Sequence, residues 1–177
     1  IGHQLDSGRL QSQIEAALVE PSSERVVRAR VVTTKPKVTT RQLASTYPKI
    51  LVVNKSANIV TLYVNLKPDR TYHVATGSPG YPTPSGRFAI QSKQIDPIWH
   101  VPNSSWAGSL AGRDIPPGPQ NPLKARWMGI TGGAGFHGTA DIGSIGTSAS
   151  HGCVRMLVAD VIDLFGRVDV GTPVFVT

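Results

Sequence analysis

Cys153 is the single cysteine in a chain of 177 residues, and it lies in the run Ser150-His151-Gly152-Cys153-Val154-Arg155. A second histidine stands upstream, in Phe136-His137-Gly138-Thr139. A lone cysteine cannot close an internal disulfide. Beside two imidazoles and a glycine whose small size exposes backbone N–H groups, its thiol is suited to nucleophilic attack, with a proton acceptor and an oxyanion site at hand. The chemistry this set points to is acyl transfer. An imidazole titrates near neutral pH, so either histidine can act first as base and then as acid. His151, two positions from Cys153, shares a face with it on an extended segment without necessarily reaching the sulfur.

Two other classes use the same residues. Histidine and cysteine are preferred zinc ligands, so His137, His151 and Cys153 suggest a zinc hydrolase. The chain, however, has no H-x-x-x-H, no C-x-x-C and no carboxylate obviously placed as a base. A non-catalytic wall-binding module is the third reading, favoured by the basic charge.

These groups need a scaffold, and from Ile50 onward the sequence reads as short β-type runs separated by turn residues. Ile50–Val53 and Ile59–Val64 flank Asn54–Asn58, a hairpin signature; Thr71–Thr76, Phe88–Ile90 and Val174–Val176 follow as further strands. Even spacing of short strands predicts a sandwich or barrel instead of a parallel α/β sheet. Between Gln91 and Gly129 lies a long proline-rich stretch with Trp99, Trp106 and Trp127 and little apolar periodicity. A connection of that length reads either as a lid or substrate wall or as a loop pinned by its tryptophans. After the cysteine, Val158, Val161, Ile162 and Phe165 fall on one face of a helix over 156–165, with Gly166 as its stop. That reading sets Cys153 just before a helix N-terminus, where the dipole favours a thiolate.

The first residues differ in texture. Asp6-Ser7 caps a helix that places Leu10, Ile14, Ala17 and Leu18 on one face and ends at Pro21; Arg25–Thr34 alternates in part, as a strand does. One helix and one strand do not bury a core. Residues 1–34 therefore read as the end of a domain or as a piece that docks on the next one, and the polar, proline-broken run 33–40 as a linker.

The net charge of +7 favours polyanionic surroundings: nucleic acid, anionic lipid or an acidic wall polymer. It is spread evenly, +4 over residues 1–49 and +3 over 50–177, with no Arg/Lys stripe interleaved with aromatics, so no nucleic-acid partner is expected. No apolar run is long enough to span a bilayer. Ile1-Gly2-His3-Gln4 shows no basic n-region followed by an apolar h-region.

His137-Gly138 followed by Ser150-His151-Gly152-Cys153-Val154-Arg155-Met156 closely resembles the signature of L,D-transpeptidases with the YkuD (ErfK/YbiS/YcfS/YnhG) catalytic domain. Val74–Gly77, Pro82–Phe88 and Pro117–Leu123 resemble further landmarks of that family. The resemblance covers residues 49–177 and implies a mainly β, L,D-transpeptidase-type sandwich with a short helix after the cysteine and a long capping loop. Residues 1–40, a small α+β fragment and linker, are similar to the end of a peptidoglycan-binding-4 type domain.

The resemblance implies roles as well. Cys153 attacks the peptide bond before the terminal D-alanine of a peptidoglycan tetrapeptide stem, and the thioester passes to an amine of a neighbouring stem, giving a 3→3 cross-link. His137 is the base, with the Gly138 carbonyl orienting its ring and Asp141 as the competing orienter. Gly152 and Cys153 supply oxyanion N–H groups. Arg155, His151 and Ser150 form the substrate-binding set: Arg155 grips a substrate carboxylate or ties loop to sheet, His151 shapes the site, and Ser150 holds the loop through its hydroxyl. Tyr81, Trp99 and Trp127 are candidate cleft walls, and His3, His73 and His100 carry no motif. Water as acceptor makes the same residues an L,D-carboxypeptidase. No metal and no cofactor is implied. The expected partners are donor and acceptor stems, with carbapenem β-lactams as covalent inhibitors of a monomer. Peptidoglycan lies outside the membrane, so the resemblance implies an extracytoplasmic protein, in the wall or membrane-anchored, with a signal or anchor upstream of Ile1.

Overall fold

The computed structural model describes residues 2–20 and 26–177. The chain divides into two compact units, Ile1–Leu43 and Ala44–Thr177.

In the first unit, β1 (Gly2–Leu5) and β2 (Val31–Thr34) pair antiparallel, Gly2 opposite Thr34 and Leu5 opposite Val31. Between them α1 (Ser7–Val19) starts where Asp6 accepts the Arg9 N–H at 3.1 Å, an N-cap that relieves one orphan donor. None of its residues is buried; Leu18 remains 69% exposed. The strand read over Arg25–Thr34 is shorter: 26–30 is irregular, and Arg25, like Pro21, lies outside the described residues. The partner strand β1 had no alternation to announce it. α2 (Thr40–Thr46) begins inside the stretch read as linker.

The second unit is a mainly β sandwich built from one nine-stranded sheet that folds over on itself. β3 (Lys49–Asn54) and β4 (Ile59–Val64) form the expected hairpin, Leu51 opposite Leu62. At its turn Asn54 accepts the Ala57 N–H at 3.1 Å and Asn58 takes φ +51°. The chain continues through β5 (Lys67–Ala75), β6 (Gly86–Ala89), β7 (Ser92–Ile95), the two-residue strands β8 (Trp99–His100) and β9 (Asp114–Ile115), β10 (Lys124–Thr131), β11 (Ala134–Gly138) and β12 (Val154–Met156). It closes with α3 (Val158–Arg167) and β13 (Pro173–Val176). The sheet order is β6-β13-β3-β4-β5-β12-β11-β10-β7, with β8 and β9 forming a separate small ribbon.

Apolar residues of the two halves meet inside. Leu51, Val53, Val60, Leu62, Val74 and Val174 come from one half and Met128, Ile130 and Phe136 from the other, while Val154 and Met156 bridge them and Val161 and Leu164 of α3 close the cluster. Alternate residues on each strand thus reach a single core, the pattern of two stacked sheet faces.

Two expectations change here. The stretch 91–129 is not one loop, because Ser92–Ile95 and Lys124–Thr131 are paired sheet strands. Lys124–Thr131 hid because polar Lys124 and Arg126 flank Trp127, and Gly129 packs without a side chain against Ser92 Oγ, where a Cβ would sit 2.8 Å away. The helix begins at Val158, after β12, and runs through Gly166 to Arg167. Its N-terminus is therefore separated from Cys153 by a strand, and the dipole argument for the thiolate lapses.

Candidate active site

Strand β11 delivers His137 and strand β12 extends from Cys153, and the two run parallel with Phe136 opposite Val154 and His137 opposite Arg155. This register puts the base candidate, the guanidinium and the nucleophile candidate on adjacent strands. All three line one cleft of about 1100 Å³.

His137 is 5% exposed, with its Nδ1 2.8 Å from the Gly138 carbonyl oxygen. A carbonyl only accepts, so Nδ1 carries the proton and Nε2 keeps the basic lone pair. Burial lowers the imidazole pKa to about 4, with the Gly138 carbonyl pulling it back up and the Arg155 charge adding to the depression. The ring is neutral at physiological pH. Trp127, its register partner on β10, stacks on it at 6.2 Å between centroids and 26° between planes. Gly138 is required by space: a Cβ there would lie 2.4 Å from the Lys124 carbonyl oxygen.

Cys153 is half-buried, and its Sγ donates to the Gly133 carbonyl oxygen at 3.7 Å. Burial pushes the thiol pKa up, against the Gly135 backbone N–H and the Arg155 charge, which pull it down. At rest the cleft is lined by a thiol and a neutral imidazole. The two opposing pulls favour the thiolate once a proton acceptor is available.

The turn before the nucleophile is closed by Ser150. Its hydroxyl donates to the Cys153 carbonyl at 2.6 Å and accepts the Gly152 N–H at 3.1 Å, at 1% exposure. Its backbone joins Thr76 and Ser78, Ser150 N to Thr76 O and Ser78 N to Ser150 O, each at 2.9 Å. The hydroxyl bonds of Ser150 hold the loop, as the sequence reading expected, and the residue lines the cleft. Gly152 adopts φ +105°, which strains any residue with a Cβ. Its N–H donates to Ser150 Oγ in the resting site, and the bend it makes presents Cys153.

His151 points to the cleft wall, stacked on Trp106 (4.5 Å, 23°) and tilted on Tyr81 (4.8 Å, 51°). Trp99 continues the stack on Trp106 at 6.5 Å and 14°. All four aromatic residues, Tyr81, Trp99, Trp106 and Trp127, line the cleft. Arg155 lies on its wall and donates Nη1 to Asp141 Oδ2 at 3.3 Å. Asp141 is therefore engaged with Arg155, while Gly138 occupies His137 Nδ1.

Three residues that shape this cleft were given no role from the sequence, although Thr83 and Asn121 lie in the landmark segments Pro82–Phe88 and Pro117–Leu123. Asn121, 1% exposed, donates to the Pro97 and Ile115 carbonyls at 2.8 and 3.0 Å and accepts the Leu123 N–H at 2.8 Å, so it pins the capping segment. Thr83 accepts the Gly77 N–H at 2.8 Å, in a crossing so tight that a Cβ on Gly77 would lie 2.2 Å from the Tyr81 carbonyl oxygen. Lys124 donates Nζ to the Gly118 and Pro119 carbonyls at 2.9 Å each. A polar residue between prolines, as at Thr83 and Asn121, was the available signal.

A sequence profile of the YkuD family, the L,D-transpeptidase catalytic domain, matches residues 48–176. The Bacillus subtilis (strain 168) protein YqjB, whose name places it among the L,D-transpeptidases, is 36% identical over 133 residues, covering 72% of this chain and 70% of its own. Among solved structures, an L,D-transpeptidase from Mycobacterium smegmatis shares the fold with a TM-score of 0.61 at 22% identity, covering 73% of this chain and 58% of its own. LD transpeptidase LdtMt1, in complex with imipenem, gives 0.59 at 26% identity, covering 73% and 59%. The chain spans less than three fifths of either solved protein.

Proposed function

The chain belongs to the YkuD family of L,D-transpeptidase catalytic domains, and from that premise we propose that it joins peptidoglycan stems through a thioester on Cys153. The observation that carries this reading is the pairing of a cleft-lining thiol with a buried imidazole whose Nδ1 is tied to Gly138, leaving Nε2 as the base.

In the first half-reaction His137 Nε2 takes the thiol proton as sulfur attacks the carbonyl carbon between the third stem residue and the terminal D-alanine. The Cys153 N–H receives the developing oxyanion; loss of one such donor raises a barrier by about 3 kcal/mol. Collapse breaks the C–N bond, and the protonated His137 returns the proton to the leaving amine of D-alanine. In the second half the acceptor amine attacks the thioester and loses a proton to His137, and the departing sulfur regains it. Arg155 lowers the energy of the thiolate by its charge, and the aromatic wall excludes water from the thioester. The donor and acceptor stems lie outside the cytoplasmic membrane, and so does the proposed reaction. Among the described residues no helix is long and apolar enough to cross a membrane. The assignment of residues 1–40 to the end of a wall-binding domain rests on sequence resemblance.

Incubation with a purified tetrapeptide stem tests the reading by mass spectrometry. A cross-linked dimer with loss of D-alanine is expected, abolished by thiol alkylation and by Cys153→Ala. A tripeptide alone would make water the acceptor and the enzyme an L,D-carboxypeptidase, and an inert protein would leave a non-catalytic binding module. The imipenem complex of a relative supports a second readout: a carbapenem should add its mass to the intact protein at Cys153.

A further inference from the structure

Arg155 and Asp141 present two opposite charges side by side on the cleft wall. Their contact is one hydrogen bond of 3.3 Å, Nη1 to Oδ2, with the arginine side chain 22% and the aspartate 63% exposed. A guanidinium has five N–H donors in a planar fork and pairs best in a bidentate manner. Among the described residues Asp141 is the one side-chain partner found for it, so both groups retain capacity for a ligand. A pair open to solvent on its aspartate side and held by a single bond contributes little to stability. Lys124, the lysine of the same cleft, differs in that two carbonyls hold its Nζ. Asp141 is also the one carboxylate among the described residues that line the cleft.

A cation and an anion about 3 Å apart match a ligand with a carboxylate and an ammonium on one carbon. Resting on the function proposed above, we infer that Arg155 and Asp141 together form a subsite for an α-amino-acid zwitterion, the guanidinium taking its carboxylate and Asp141 its ammonium. Docking exchanges one ion pair for two without burying net charge. A neutral amide or a plain alkylamine satisfies one arm and leaves the other unpaired, the asymmetry that makes polar sites discriminating. Two species in the proposed reaction carry this group: the free end of a diaminopimelyl acceptor side chain, and released D-alanine. An ammonium must shed its proton before it can attack, so the subsite acts on KM more than on kcat.

Wild-type protein and one tetrapeptide donor are given three acceptor stems: a diaminopimelyl side chain with a free carboxylate, the same side chain amidated, and lysine in its place. KM is expected to rise about tenfold or more for the last two, with kcat nearly constant. Arg155→Gln erases the difference and Arg155→Lys narrows it, whereas Asp141→Asn, which loses the partner of the ammonium common to all three acceptors, raises every KM and keeps the difference. A parallel arm compares inhibition by free D-alanine and by D-alaninamide. Equal acceptor KM values with D-alanine about tenfold more inhibitory than its amide support the subsite and assign it to the leaving group. Cross-linking that proceeds with no discrimination in either arm overturns the subsite and leaves thiol acyl transfer standing. Failure of every acceptor together with an unreactive thiol overturns the functional reading itself.

Discussion

The hydroxyl of Ser150 donates to the carbonyl of Cys153 at 2.6 Å, so the residue that begins the motif fixes the orientation of its nucleophile candidate. The same oxygen accepts the Gly152 N–H. Ser150→Ala leaves both groups without their partner and is expected to cost about 2–4 kcal/mol. A melting temperature lowered by several degrees and carbapenem acylation slowed more than tenfold are expected. A variant that melts and acylates like wild type would show the hydroxyl to be incidental.

The depressed pKa of His137, about 4 against an ordinary 6.5, has a defined sign in stability. Above pH 6.5 the ring is neutral whether the chain is folded or not. Between pH 6.5 and 4 the unfolded chain binds a proton that the folded one refuses, so stability falls with falling pH by about 1.4 kcal/mol per unit and levels off below pH 4, a total of about 3 kcal/mol. Denaturant titrations of wild type and His137→Gln should diverge across this window. Parallel curves would contradict the buried neutral imidazole. Thiol acylation should also keep its rate down to pH 5 before its acid limb sets in.

Gly138→Ala sets a methyl 2.4 Å from the Lys124 carbonyl oxygen and 3.1 Å from Val161. Backbone cannot yield as a flexible side chain does, so β10 and β11 must part. Overpacking of this kind costs about 1–3 kcal/mol, and it displaces the carbonyl that holds His137. Thermal unfolding and the acylation rate should both suffer; an alanine variant with normal turnover would refute the packing argument.

Asn121→Ala removes three hydrogen bonds from a buried amide. The expected loss is about 2–4 kcal/mol, concentrated in residues 97–123. Limited proteolysis is the sharpest readout: cleavage in that segment should accelerate well before the β3–β4 hairpin loses amide protection. Uniform loosening of both regions would show that Asn121 holds the whole domain and not the capping segment.

The sequence was informative where one rule governed a residue. Alternation located the β3–β4 hairpin and Asp6-Ser7 located α1, whereas the face read for α3 held only in part: Val161 is buried and Phe165 half-buried, but Val158 and Ile162 are exposed and Leu164 takes the core position. Lys124–Thr131 escaped because its strand status comes from partners on both sides, β7 and β11, and from glycines that let Trp127 lie flat, none of which is local information. At the site, the residue types were legible and their wiring was not. The short spacing of Ser150, Gly152 and Cys153 suggested backbone donors aimed at substrate, but the structure turns Gly152 N–H inward to Ser150. Trp106 was one tryptophan in an irregular stretch until the fold brought it against His151.

Strand β12 is three residues long and is the seam between the two halves of the sheet, pairing with β5 through Arg155 and Met156 and with β11 from Val154 to Met156. The nucleophile candidate is the residue immediately before that seam. A covalent adduct on Cys153 stays attached when the chain unfolds, so it shifts the melting temperature only through what it touches in the folded cleft, and thermal denaturation becomes a gauge of how well the attached group fits beside that seam.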